Sequence, residues 1–330
     1  MDKVTNAISL ILISFIISVI IGYFLIKILT KKHINQSLSI YLEERHKSKS
    51  HTPTMGGLIF SITLLIVGIL LYITNKITIS FNLIIVWFTI LSYSLIGFID
   101  DFLIIKNHNN KGLSEKNKFL LQMLVALVFF YLFLKAGNET LIWIHSLNIK
   151  VNISWFYGLF ILFVLVASSN AVNLTDGLDG LAGGLSLIAF LTFGIIAYNT
   201  SWLSGYIEIA YTCFILVGSL FGFLIYNMNP AKIFMGDTGS LALGAGLGSI
   251  AILTRHELLL VLIGIVFVIE TLTCIIQRFY YKLTHKRLFL MTPIHHSFEK
   301  KGYKEADIVK YFWIVGILAS LVALAFGVLL

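Results

Sequence analysis

Residues 82–101 read NLIIVWFTILSYSLIGFIDD. An uncharged, largely apolar run ends abruptly in two adjacent aspartates. The hydrocarbon core of a bilayer is about 30 Å thick and takes about 20 helical residues. The run is therefore long enough to cross a membrane, with its acids where the helix leaves the lipid. Windows of this kind recur at about 5–26, 56–75, 77–99, 119–134, 154–172, 180–198, 205–226, 239–254, 258–277 and 311–330. The ninth holds Glu270 inside it, and only Asn75 and Lys76 part the second from the third. The first is too long for a signal-peptide core and has no small-residue cleavage site, so it is read as a permanent helix. The expectation is an all-α integral membrane protein with ten transmembrane helices, forming one polytopic domain over residues 1–330.

Composition agrees. Of 330 residues, 58% are hydrophobic and only 12% charged, against about 25% charged in soluble domains. That excludes a water-soluble fold, a disordered tail and a disulfide-rich secreted module. Cys213 and Cys274 both lie in apolar runs and read as small buried hydrophobes. The net charge of +8 points to loops facing anionic lipid rather than to nucleic acid. With the N-terminus outside, 19 of the 24 Lys and Arg residues fall in inner loops. Lys3, Lys76, Lys135, Lys150 and Arg255 stay outside. This bias sets the orientation, with both termini extracytoplasmic. In the outer segment 137–153, Ile149, Val151 and Ile153 alternate with Lys150 and Asn152. The alternation predicts a short β-hairpin turning near His145–Asn148.

Five aspartates, Asp100, Asp101, Asp176, Asp179 and Asp237, fall at the inner ends of spans. Carboxylates at a membrane boundary are costly unless solvated, paired or bound to a cation. Acids from three separate loops at one level imply a shared site, and a divalent ion such as Mg²⁺, which bridges oxygens to phosphates, is the simplest occupant. In Gly97-Phe-Ile-Asp-Asp101, one acid can bind metal while its neighbour accepts a proton. In Asn173-Leu-Thr-Asp-Gly-Leu-Asp-Gly180, a helical turn would bring Asp176 and Asp179 to one face. The alternative is a capped tight turn. Met235-Gly-Asp-Thr-Gly-Ser240 opens the eighth span, and a helix N-terminus there offers N–H groups to an anion. The alternative is that Asp237 only caps the helix.

Three further features stand out. His51-Thr-Pro-Thr-Met-Gly-Gly57 lies behind Lys47 and Lys49, with Pro53 starting the second span. It reads as a phosphate-meeting segment or as a basic lipid-facing loop. His295 and His296 are adjacent among basic neighbours, suited to an anionic ligand or to a surface. Glu270 and Gln277, seven apart, share a helix face, either for function or for a structural hydrogen bond.

These segments, in this order, resemble the phospho-N-acetylmuramoyl-pentapeptide-transferase family of the polyprenyl-phosphate N-acetylhexosamine-1-phosphate transferase superfamily. The resemblance runs from about residue 41 to the C-terminus. Asp100-Asp101, the Asn-x-x-Asp-Gly-x-Asp-Gly loop, Gly-Asp-x-Gly-Ser and the late histidines are superfamily features. Three stretches point to the family itself: Thr52–Gly57, Asn173–Ala182, and Pro293–Glu305 running into Tyr311-Phe-Trp313.

The resemblance implies transfer of phospho-MurNAc-pentapeptide from UDP-MurNAc-pentapeptide to undecaprenyl phosphate. The products are lipid I and UMP, in peptidoglycan synthesis at the cytoplasmic membrane. It implies Mg²⁺ as cofactor, membrane lipid around the chain, and a homodimer whose active site faces the cytoplasm. Asp237 matches the Mg²⁺ ligand. Asp100 matches the acid that deprotonates the lipid phosphate, Asp101 its essential neighbour, and His295 the catalytic first histidine. Asn173, Asp176, Gly177, Leu178 and Asp179 match the nucleotide pocket, with His296 near the uridine. Phe234 matches the aromatic stacking on uracil and Gln277 its neighbour. Lys49, Thr54, Lys116 and Asn227 match polar residues lining the cleft.

The sequence departs from the family pattern twice. Ser297 stands where a third histidine is usual. Ile104 stands where Asp-Asp-x-x-Lys has its lysine, with Lys106 as the nearest substitute. A related transferase using another UDP-sugar is the alternative activity. Direct attack and a covalent aspartyl intermediate are both compatible with the residues.

Overall fold

A computed structural model of the chain describes residues 3–31, 52–107 and 112–329. It is a helical bundle with one small hairpin. The helices are α1 (Lys3–Lys31), α2 (Gly57–Ile73), α3 (Phe81–Asn107), α4 (Glu115–Lys135), α5 (Phe156–Thr175) and α6 (Leu181–Tyr198). They continue as α7 (Tyr206–Asn227), α8 (Asp237–Leu253), α9 (Glu257–Ile263), α10 (Ile265–Thr284), α11 (Ile294–Lys300) and α12 (Glu305–Leu324). Strands β1 (Leu141–Ile144) and β2 (Ile149–Asn152) pair antiparallel, with Leu141 opposite Asn152. Their turn spans His145–Leu147 and closes on Asn148 in the left-handed region, as the alternating pattern predicts.

Among the described residues, seven helices are long and apolar enough to cross a membrane, and the bent pair α9–α10 makes up to eight. The helices α2 and α8 are apolar but have only 17 residues each, about 25 Å of rise. The ninth window is the clear departure. Instead of one straight span over 258–277, the chain bends by 83° between α9 and α10. The break falls at Gly264, where an added Cβ would crowd the Leu260 carbonyl oxygen at 2.9 Å. The amide of Gly264 still bonds to the Leu260 carbonyl, and its carbonyl still accepts from the Val268 amide.

Helix α1 shows how small residues turn inward while large apolar ones lie on the outside. In α1 the inward residues are Leu10, Ser14, Ser18, Gly22 and Leu29, while Ile8, Leu12, Ile16 and Ile20 face outward. Small inward residues let backbones approach where apolar burial gives little drive. The Ser18 hydroxyl donates to the Ser219 carbonyl of α7 at 2.6 Å. The centre is α8, DTGSLALGAGLGSIAIL, buried at every position after Asp237. A Cβ added at Gly244 would lie 2.3 Å from the Ser168 carbonyl oxygen of α5.

At the end of α8 away from Asp237, Arg255 ties the hairpin down. It donates to the carbonyls of Leu141 and Glu139 and to the Tyr157 hydroxyl, which in turn donates to Glu257. Beside it His145 and His256 stack with ring centroids 4.5 Å apart and 8° between planes. Burial, helped by His145, pushes His256 down to about 4, and burial with nearby Lys150 lowers His145. A depressed base binds fewer protons folded than unfolded, so stability is present above about pH 6.5 and is lost as pH falls toward 4. The thermal midpoint in detergent is expected to drop across that window by the equivalent of up to about 3 kcal/mol. His256→Asn should flatten the profile, and an unchanged profile would show that the imidazole is not its origin.

Candidate active site

The first turn of α8 organises the acids. Gly97 lies on α3 one turn before Asp101, and a Cβ added there would sit 2.0 Å from the Asp237 carbonyl oxygen. Only glycine lets α3 and α8 touch at this point. Four residues on, Asp101 faces the same neighbour. Its carboxylate accepts from the amides of Asp237 (3.1 Å) and Thr238 (3.0 Å) and from the Thr238 hydroxyl (2.6 Å). Asp101 thus caps α8 from another helix. The amides of Gly239 and Ser240 bond to the Gly236 carbonyl. The anion site expected at this N-terminus is therefore already taken, and Asp237 is not its own helix's cap.

The Asp237 side chain points elsewhere. One oxygen takes the Lys118 ammonium at 2.5 Å and the other accepts from Asn173 at 2.7 Å. The Lys118 ammonium also lies 3.2 Å from Asp100. The second Asp100 oxygen accepts from the Leu113 amide at 2.8 Å. Lys118 therefore joins acids from α3 and α8, and Asn173 sets the Asp237 rotamer from α5. Between them opens a cavity of about 170 Å³ lined by Thr54, Asp101, Ile104, Asn173, Asp176 and Asp237. Burial first, then the carboxylates of Asp237, Asp101 and Asp179, push Asp176 up to about 8. This is a crowded anionic site in which, among the described residues, Lys118 supplies the cation.

Among the described residues, no three His, Cys, Asp or Glu side chains converge closely enough to hold an ion by themselves. The cavity nevertheless offers hard oxygens on Asp176 and Asp237. Mg²⁺ commonly uses one or two carboxylates together with substrate phosphates, and these residues fit that pattern.

A second layer lies beyond the Asp176–Gly180 turn. The α5 helix stops at Thr175, and Gly180 (φ +83°) turns the chain into α6. The two acids therefore part rather than sharing a helix face. Asp176 lines the cavity, while Asp179 accepts from the Asn229 side chain (3.1 Å) and the Ala231 amide (3.0 Å). Asn227 accepts from the Gly180 amide and donates to the Ile233 carbonyl. His295 is fully buried, with Nδ1 3.1 Å from Glu270, itself fully buried. Its Nε2 presses on the turn, where a Cβ at Gly177 would lie 2.3 Å away. His296 Nδ1 lies 2.6 Å from Glu299. Burial holds this imidazole below its ordinary value, against the pull of Glu299.

Residues 83–255 match glycosyl transferase family 4. Over 313 residues, 94% of this chain and 95% of the relative, the sequence is 42% identical to a phospho-N-acetylmuramoyl-pentapeptide-transferase of Geobacillus thermodenitrificans. Proteins of the same name from Listeria monocytogenes (43% over 312 residues, 94% of this chain and 95% of the relative) and Staphylococcus saprophyticus (45% over 322 residues, 96% and 98%) agree. The chain belongs to the phospho-N-acetylmuramoyl-pentapeptide-transferase family. The family match from residue 83 to 255 contains all five clustered aspartates.

The residues expected from the family's pattern fall into three groups. Asp101, Thr54, Asn173, Asp176 and Asp237 gather at the cavity, and Asp100 joins them through Lys118. Gly177, Leu178, Asp179, Asn227, His295 and His296 form the layer beside it, with Leu178 buried. The remaining four are Lys49, Lys116, Phe234 and Gln277. Lys49 lies outside the described residues. Lys116 is exposed, and Lys118 is the lysine at the acids. Ile104 lines the cavity and Lys106 is exposed, so Lys118 supplies the cation that neither provides. The Gln277 carbonyl accepts from the amides of Leu288 and Phe289. Pro53 does not start a helix. Its carbonyl accepts from the Phe234 amide, the Phe234 and Met235 carbonyls accept from Gly56 and Gly57, and α2 begins only at Gly57. Phe234 keeps its ring half-buried.

Sequence reasoning missed Lys118, Glu299 and Glu305. The spacing His296-x-x-Glu299 was a usable signal, since i,i+3 side chains meet on a helix. The Ser297 hydroxyl accepts from the Met291 amide (3.1 Å) and donates to the Met291 carbonyl (2.5 Å), holding the loop before the histidines.

Proposed function

We propose that this site transfers phospho-MurNAc-pentapeptide from UDP-MurNAc-pentapeptide to undecaprenyl phosphate, giving lipid I and UMP. The observation that carries it is 42–45% identity, over nearly the full length, to transferases of that name. The chain is a multi-pass membrane protein. We place it in the cytoplasmic membrane with ten crossings, counting α2, α8 and the bent pair, with both termini outside. In that orientation the acids open to the cytosol, where a soluble donor and an interfacial lipid phosphate meet. A homodimer is part of the same reading.

Phosphoryl transfer asks mainly for positioning and charge neutralisation. Asp100 takes the last proton of the lipid phosphate, whose oxygen then attacks the donor β-phosphate directly. Lys118 holds Asp100 and Asp237 in register and offsets their charge. Asn173 orients Asp237, and Asp101 keeps α8 docked. Asp237 and Asp176 would hold Mg²⁺. When bound, the ion supplies neutralisation of the diphosphate and of the leaving UMP. His295, braced by Glu270, fixes the Gly177 turn against which the nucleotide is read, with Phe234 and His296 beside it.

Purified protein in detergent is expected to release UMP from UDP-MurNAc-pentapeptide, with Mg²⁺ and undecaprenyl phosphate present. UDP-GlcNAc is expected to give no turnover. Turnover of UDP-GlcNAc alone would assign the chain a different donor. Direct attack predicts inversion at phosphorus, and observed retention would replace it with a covalent route.

A further inference from the structure

We infer that Glu305, the first residue of α12, is a positioning residue for the donor nucleotide; the inference rests on reading the 176–180 turn as the nucleotide's seat. One Glu305 oxygen accepts from the Asp179 amide at 2.7 Å, and the other accepts from the Asn229 side chain at 3.1 Å. The same Asn229 amide group reaches Asp179 at 3.1 Å, and Asp179 also takes the Ala231 amide. Glu305 therefore closes a ring of hydrogen bonds joining three distant segments: the 176–180 turn, the 229–231 loop and the start of α12. Asn227 adds a strut from Gly180 to Ile233. The 229–231 loop leads within three residues to Phe234, a half-buried aromatic.

An acid in a helix's first turn has an ordinary explanation, since it complements the helix dipole. That explanation is local. It does not account for two bonds to residues 126 and 76 positions away. A carboxylate is also the side chain this place needs. The Asp179 amide and the Asn229 side chain both present N–H donors, and an acid offers them two acceptor oxygens with no donor to clash. The rest of α12 is fixed independently. Trp313 fills the space at Gly184, where a Cβ would lie 2.0 Å from its ring, and its indole N–H reaches the Leu181 carbonyl. Removing Glu305 should therefore loosen the turn while leaving the helix docked.

The test is steady-state kinetics on the full chain in detergent, varying each substrate in turn. Glu305→Ala is expected to raise the donor KM about tenfold, as two net hydrogen bonds would suggest. The kcat and the KM for undecaprenyl phosphate should stay within about twofold. Glu305→Gln keeps one acceptor and should raise the donor KM only about threefold. Calorimetric binding of UMP should weaken by the same factors. Asn229→Ala added to Glu305→Ala should cost little more, because both act through one ring. A parental donor KM and UMP affinity in Glu305→Ala overturns the inference alone. So does an equal loss toward both substrates, the mark of a purely structural role. Should Glu305→Ala fail to fold, Glu305→Gln carries the same split. If the parent chain does not turn over UDP-MurNAc-pentapeptide, the donor reading falls and the inference with it.

Discussion

Lys118→Ala lowers turnover by about 10²–10³-fold, the scale of losing one preorganised charge partner, and leaves the helices in place. The ammonium lies 2.5 Å from Asp237 and 3.2 Å from Asp100. Its loss leaves the Asp100 and Asp237 carboxylates without the cation they share, and two anionic substrates must then approach an uncompensated acid cluster. The neighbouring lysine provides the control. Lys116 is exposed two positions earlier, and Lys116→Ala should stay within about twofold, as surface changes do. Lys118→Arg retains charge but not the compact geometry and should fall between. UMP release at saturating substrate decides the matter. A parental rate for Lys118→Ala would remove this residue from the site.

The second large effect falls on Asp101. Asp101→Ala is expected to destabilise the protein by about 3–5 kcal/mol and to abolish turnover. Alanine leaves the Asp237 amide, the Thr238 amide and the Thr238 hydroxyl without their acceptor, in a place closed to water. An ordinary cap is worth about 0.5–2 kcal/mol, but this one also fastens α3 to α8. Asp101→Asn keeps one oxygen for the Thr238 donors but sets an NH2 against the Asp237 amide, and its midpoint should fall between alanine and the parent. Thermal unfolding of the two variants separates the roles. Equal midpoints for Ala and Asn would show that the cap contributes little.

The membrane class and the acid cluster were legible because both are one-dimensional signals. A window free of charge has the length of a bilayer, and aspartates at window ends mark a level. What depended on neighbours was not legible. Lys116 and Lys118 are both in the first turn of α4, and nothing in the chain says which faces the acids, since that depends on where α3 and α8 pass. The three-residue spacing of Asp176 and Asp179 suggested a shared face, but the turn after Thr175 sends them apart. The bend at Gly264 looked like one glycine in an apolar run. Its angle comes from packing, which hydropathy does not register. The 17-residue length of α8 has a similar origin. A helix enclosed by protein on every side is not held to the thickness of the lipid.

The way Asp101 fills the amides at the start of α8 has a bearing on inhibitor design. A main-chain cradle that could have rewarded any phosphate-shaped fragment is closed, and among the described residues carboxylates outnumber the Lys118 ammonium beside it. Compounds aimed at this cavity gain more from a well-placed amine than from a sulfonate or phosphonate, and selectivity would be tuned by basicity before shape.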